Sequence, residues 1–313
     1  MNIIFGPVNS RRFGVSLGID LSPSHKQCNF DCLYCELAPA ATVDHQTDII
    51  TVDEIIDALK AALKQHDNID VITLTANGEP TLYPYLNELI DAIGQLKGKT
   101  ETLILTNSAA LVDEKSFHTL LKLDQVKLSL DAVTPDIFKK IDRPHQGVDV
   151  AKIVEAVETF SKQFNGKLFI EILFVHGLND TAEEIKKLND ALLDILTTRI
   201  DLGTIDRPPA YPVQGVSYSE LHAIAMQFDT SLPIHIASRQ HAESCTSSYT
   251  TEDIINTLDK RPLTQEDIEL LFDQASKMRL NELLKTGKII QQETSGIQFF
   301  IPSDNLRRKR QKS

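Results

Sequence analysis

A chain of 313 residues with 42% apolar side chains has enough hydrophobic content for one large core, or for one large and one small. Its formal charge of -12 argues against a general nucleic-acid binder, although the charge is uneven: residues 245–313 hold 11 Lys/Arg against 10 Asp/Glu, which leaves -13 on residues 1–244. No apolar run approaches the roughly 18 residues of a membrane span, and Met1–Arg12 is too soon broken by Gly-Pro and Arg-Arg to read as a secretory signal, so the expectation is a cytoplasmic protein with no membrane partner.

In chain order, Gly14–Leu21 alternates with period two and reads as a strand. Its C-terminal end delivers Cys28-Asn-Phe-Asp-Cys32-Leu-Tyr-Cys35, and the next cysteine is Cys245, in a polar Ser/Thr-rich stretch. Three thiolates on one loop suit three irons of a four-iron, four-sulfur cluster and leave the fourth iron open, whereas an electron-transfer cluster normally has every iron closed. A structural zinc site wants four ligands, usually as two separated pairs, and the nearest fourth donors would be His25 or His45. A disulfide framework belongs to small secreted domains, not to a chain of this length.

Thr51 and Glu54 form a capping box that opens a helix with Ile55, Ile56, Leu59, Ala62 and Leu63 on one face. Strands follow near 69–75, 101–106, 125–131, 167–175 and 200–206, with helices near 84–97, 113–122, 149–164, 181–197 and 218–229; Ser231–Ile236 closes or edges the sheet. Six strand-helix units in series predict a parallel sheet with right-handed crossovers. The parity of the strands predicts a polar lumen, with Ser16, Asp20, Thr73, Thr75, Lys127, Ser129, Asp131 and Glu171 inward and the apolar residues against the helices. A plain packed barrel would fill that space with branched apolar side chains.

Thr75-Ala-Asn-Gly-Glu-Pro-Thr81 leaves the second strand at the face where barrel active sites lie. Arg143 and Arg207 each sit in an Asp-Arg-Pro loop, where an arginine can grip a carboxylate or phosphate bidentately or simply face solvent. His176 reads as part of a structural strand-to-helix turn with Gly177. From residue 245 the rhythm changes: helices at Glu252–Leu258, Gln265–Phe272 and ending at Lys285, then strands Ile289–Glu293 and Ile297–Ile301 about a turn at Ser295-Gly296. Three helices and a hairpin resemble a winged helix; five basic residues, Arg307, Arg308, Lys309, Arg310 and Lys312, follow in the tail.

The CxxxCxxC spacing with Tyr34 before the third cysteine resembles the signature of the radical S-adenosylmethionine (SAM) superfamily. That resemblance implies a [4Fe-4S] cluster on Cys28, Cys32 and Cys35, with SAM chelated to the open iron and reductively cleaved to a 5′-deoxyadenosyl radical. It implies an external one-electron reductant of flavodoxin or ferredoxin type, and SAM contacts from Tyr34, Asn77, Gly78, Glu79, Thr106, Asn107, Ser129 and Asp131. Lys127, Arg143 and Arg207 are the candidate catalytic residues at the substrate. The expected architecture is α/β: a partial (β/α)6 barrel over 1–240, a small winged-helix-like domain over 245–305 and a basic tail over 306–313. The wider pattern, from Gly6-Pro-Val-Asn-Ser-Arg-Arg12 through Ser129-Leu-Asp131 to Asp206-Arg-Pro-Pro209, resembles the branch containing the wyosine-base synthases of tRNA, which implies an RNA base or nucleotide as substrate. Those enzymes, and the GTP cyclase of molybdenum-cofactor synthesis, carry a second cysteine set that this chain lacks. Two alternatives stay open: an iron-sulfur redox sensor that binds DNA through the winged helix, and a GTP-cyclase-like enzyme of cofactor biosynthesis.

Overall fold

Leu17 and Ile19 are fully buried on one side of their strand while Ser16 and Asp20 face the lumen on the other, and this alternation runs across the sheet. The computed structural model describes residues 3–10, 12–66, 68–236, 248–260, 262–294 and 297–303. Its main sheet runs β1 (Ile4–Ser10), β2 (Gly14–Asp20), β3 (Val71–Thr75), β4 (Glu101–Thr106), β5 (Gln125–Ser129), β6 (Lys167–Phe174), β7 (Arg199–Thr204) and β8 (Ile234–Ile236), in sequence order. From β2 to β8 every neighbour is parallel, and β8 edges the sheet instead of closing it onto β1. β1 is antiparallel to β2 and was not expected from the sequence, because Gly6-Pro7 reads as a break; a shift of register between Phe5 and Val8 absorbs that pair.

Helices α1 (Val52–Gln65), α2 (Leu86–Leu96), α3 (Glu114–Leu120), α4 (Pro135–Ile141), α5 (Val150–Gln163), α6 (Ala182–Leu193) and α7 (Tyr218–Ala225) fill the crossovers. The capping box of α1 forms as read: Glu54 N–H donates to Thr51 Oγ at 3.3 Å and Thr51 N–H to Glu54 Oε2 at 3.0 Å. α4 is additional, started by Pro135 in its first turn. Ile72, Ile104, Val126, Ile170 and Ile200 form one buried layer against Ile55, Leu89, Phe160 and Leu188 from the helices. Each such side chain contributes about 1.5–3 kcal/mol of hydrophobic stabilisation.

The C-terminal part is a second core built from α8 (Thr251–Lys260), β9 (Leu263–Thr264), α9 (Gln265–Leu271), α10 (Gln274–Lys285), β10 (Ile289–Thr294) and β11 (Ile297–Pro302), with strand order β10-β11-β9. This is the winged-helix-like arrangement expected, with the short β9 added. Its core, including Ile254, Leu258, Phe272 and Phe300, also takes in Val8 of β1, and Tyr249 Oη donates to the Pro7 carbonyl at 2.6 Å. Cys245, the Ser295-Gly296 turn and the basic tail Arg307–Lys312 lie outside the described residues. Among the described residues no helix is long and apolar enough to cross a membrane.

Candidate active site

The loop after β2 is tied down at several points. At its start, Gln27 N–H donates to the Asn77 carbonyl at 2.9 Å and Glu79 N–H donates to the Gln27 carbonyl at 3.0 Å, so it docks on the turn after β3. Gly78, at φ +138°, permits this contact, since a Cβ there would overlap the Gln27 carbonyl. The Gln27 side chain closes the loop's far end, accepting from Thr47 N–H at 2.7 Å and Asp48 N–H at 3.1 Å. Further along, Leu33 N–H reaches the Ile141 carbonyl of α4 at 2.8 Å, and Ala210 N–H, after β7, reaches the Cys35 carbonyl at 2.7 Å. Asp31 gathers Lys26 Nζ at 3.1 Å, Arg143 at 3.4 Å and the Tyr211 hydroxyl.

Cys28, Cys32 and Cys35 are free thiols on this loop. Three thiols on one loop suit three irons of a four-iron cluster, whereas a structural zinc takes four ligands, usually as two separated pairs. Burial pushes all three thiols up, Cys28 to about 12, with Glu79 adding to the rise there and Asp142 at Cys32. Iron binding would have to expel those protons.

Above the lumen, a cavity of about 1340 Å³ extends from Tyr34, Cys35, Glu36, Ala76 and Asn77 down to Lys127 and Glu171. Its walls carry Ser16, Asp20, Thr73 and Thr75, as the strand parity predicted, and Thr257 of α8 joins from the C-terminal part. At the base, Arg12 comes in from the β1–β2 turn and bridges Glu171 at 2.5 Å and Asp201 at 3.1 Å. Lys127 pairs with the other oxygen of Glu171; Arg199 and His235 both hold Asp201, at 2.8 and 3.1 Å. Burial works against the Glu171 charge, but Lys127 and Arg12 overcome it and hold the carboxyl down at about 2. Lys127 is lowered, first by burial and then by Arg12, against the pull of Glu171.

The Radical SAM superfamily model matches residues 23–190, more than half of the chain, including the cysteine loop and the turn after β3 on which it docks. The chain belongs to the radical SAM superfamily. It is 38% identical over 300 residues to a UPF0026 protein of Helicobacter pylori strain J99, covering 95% of this chain and 97% of that one. It is 26% identical over 167 residues to a GTP 3',8-cyclase of Alkaliphilus oremlandii, covering 53% of this chain and half (50%) of the cyclase. Among solved structures it is similar to TYW1 with a lysine-pyruvate adduct bound, at 16% identity and a TM-score of 0.50, covering 69% of this chain and 74% of that one. That likeness is one of fold. Radical SAM enzymes bind a [4Fe-4S] cluster and SAM and need an external reductant.

Against that background the candidate residues separate. Tyr34, Cys35, Asn77, Lys127 and Arg207 line the large cavity. Glu79 does not reach it: its carboxylate accepts from Thr81 Oγ at 2.6 Å and N–H at 3.1 Å, from Thr106 Oγ at 2.6 Å and from Asn107 N–H at 2.9 Å. These four hydrogen bonds tie Glu79, and with it the turn carrying Asn77 and Gly78, to Thr81 and to the end of β4. Ser129 and Asp131 leave the lumen row where β5 ends, beside a small pocket with Asn107. Asp131 accepts from Leu173 N–H at 2.7 Å and from the Tyr34 hydroxyl, and so orients that ring. Arg143, at φ +46°, lies over the Tyr211 ring at 4.6 Å and is not among the residues lining the cavity; it braces the cysteine loop through Asp31. Arg207 donates to Glu36 at 2.6 Å. His176, read as part of a structural turn, stands 3.3 Å from Asp180 in that turn and also lines the cavity. Arg12, Asp201 and His235 were not picked out from the sequence.

Proposed function

We propose that this chain reductively cleaves SAM at a cluster held by Cys28, Cys32 and Cys35 and abstracts hydrogen from a nucleotide or RNA base seated in the polar lumen. The observation that carries the reading is the single cavity joining Cys35 and Asn77 to Lys127 and Glu171. At about 1340 Å³ it exceeds the roughly 300–1,000 Å³ of a pocket for one small ligand, so it has room for SAM and a substrate together. A cluster held by Cys28, Cys32 and Cys35 would supply the electron, received from a flavodoxin- or ferredoxin-type donor. The chain supplies position: Asn77 and Gly78 present backbone groups beside the loop, Glu79 holds that turn, and Tyr34 is oriented by Asp131. Thr73, Thr75 and Leu103 line the wall between, and the charged base holds the far end of the substrate. Similarity to a GTP 3',8-cyclase over half of the chain supports a nucleotide-type substrate.

Anaerobic reconstitution with iron and sulfide, followed by SAM and a strong reductant, is expected to yield 5′-deoxyadenosine. A correctly loaded protein that leaves SAM intact would refute the reading. Comparison of nucleotides and digested RNA from a deletion strain and its parent is expected to show one missing modification or accumulated precursor; unchanged RNA and nucleotide pools would remove the substrate assignment and leave the SAM chemistry.

A further inference from the structure

The base of the cavity holds more positive than negative charge. Arg12, Lys127 and Arg199 are set against only Glu171 and Asp201, and His235 is the sixth member of the network. Among the described residues these six have no further ionic partner, and three cations less two anions leaves +1. The two arginines divide Asp201 between them, while Arg12 and Lys127 share the single carboxylate of Glu171.

Lys127 is the member left short. Its side chain is 11% exposed, it lines the cavity, and one carboxylate oxygen accepts from an ammonium with three donors. A buried charge without full compensation is costly, and the remedy open to this site is an anion entering from the cavity. The depressed Lys127 and the strongly acidic Glu171 agree with a shortage of negative charge at that point.

We propose that the lumen base, through Lys127 with Arg12 beside it, is the seat for an anionic group of the substrate, a carboxylate or a phosphate. Binding there would place the rest of the molecule along the Thr73 and Thr75 wall, with its far end toward Cys35 and Asn77. The inference rests on the radical SAM reading of the cavity and names the chemistry that its substrate must carry.

The test uses the full-length, cluster-loaded protein under argon, with chloride exchanged for inorganic phosphate or for acetate at constant ionic strength. Thermal midpoint and calorimetric titration are followed in the unaltered protein and in Lys127→Met and Lys127→Gln. The expected result is a saturable rise in midpoint with one of the two anions, reduced at least tenfold in apparent affinity in both variants. A phosphate-only response assigns a phosphorylated substrate, and an acetate response a carboxylate. Equal responses in the unaltered protein and in whichever variant folds would overturn the proposal, as would no response to either anion. 5′-Deoxyadenosine formation by the unaltered protein is scored separately: SAM cleavage without anion binding removes only this inference, whereas anion binding without SAM cleavage removes the reading on which it rests.

Discussion

Gln27 and Gly78 meet backbone to backbone, and the left-handed region at φ +138° together with the missing side chain of Gly78 is what lets them do so. This contact joins the cysteine loop to the strand end that presents Asn77 to the cavity. Gly78→Ala is therefore expected to lose more than a methyl group's worth of space. Backbone strain of about 1–3 kcal/mol would be added to displacement of the loop, with lower iron retention after anaerobic desalting. Iron content and thermal midpoint measured together check this; a variant that keeps both would show that the loop docks by other means.

Single Cys→Ala changes at Cys28, Cys32 and Cys35 are each expected to abolish the iron-sulfur chromophore, while Cys245→Ala keeps it. Iron and sulfide per chain, assayed under argon, decide the matter. Retention of a full cluster by Cys32→Ala would contradict the ligand set.

Glu79→Gln is expected to act on stability before it acts on SAM. Both carboxylate oxygens accept hydrogen bonds, and an amide would set its own N–H against one of those donors. A loss of about 1–3 kcal/mol in the cluster-free protein, seen by urea denaturation without SAM, is the expected outcome. A variant with unaltered stability but weaker SAM binding would make Glu79 a direct ligand instead.

Glu171 makes stability depend on acid in a defined window. Its folded value near 2 lies below the ordinary 4.5, so its contribution is present above about 4.5 and is lost as the pH falls through about 2. The size is about 3 kcal/mol on the linkage relation. Denaturant titrations of cluster-free protein across that window should show the loss, and Glu171→Gln should flatten it. An equal slope in the variant would move the effect to other carboxylates.

The contact between β1 and the C-terminal core leads to a fifth expectation. Val8 of β1 is buried in the C-terminal core, and Thr257 stands in the cavity wall. Removing residues 245–313 should expose that side of β1 and admit solvent, so 5′-deoxyadenosine formation without substrate rises while conversion of substrate falls. A truncated, cluster-loaded protein with wholly unchanged behaviour would show that the C-terminal part has no share in the site.

What the sequence disclosed was whatever is encoded locally. The α1 capping box, the strand parity that turns Ser16, Thr73 and Lys127 inward, and the cysteine spacing each depend on residues a few positions apart. The arrangement of Glu79 was harder, because its partners Thr106 and Asn107 come from the next strand end; three of its four hydrogen bonds fall on Oε1 and only Asn107 N–H reaches Oε2. Arg12 was out of reach: it meets Glu171 across 159 positions, and only the curvature of the finished sheet brings them together. β1 was hidden by a Gly-Pro pair that a register shift accommodates, and Arg143 by an Asp-Arg-Pro context identical to that of Arg207 although the two face different ways.

The fastening of the cysteine loop by Gln27, Asp31 and the Cys35 carbonyl has a consequence for maturation. All these ties are between protein groups, so the expectation is a cradle that keeps its shape before iron arrives. Loading is then closer to filling a socket than to the metal-driven folding of a zinc finger. Little surface should be hidden when the cluster goes in, so the far-ultraviolet dichroism and the denaturant m-value of the empty and filled proteins should coincide. A cell that runs short of iron would then hold a stock of folded, empty protein ready for insertion, not a pool of unfolded chains awaiting degradation.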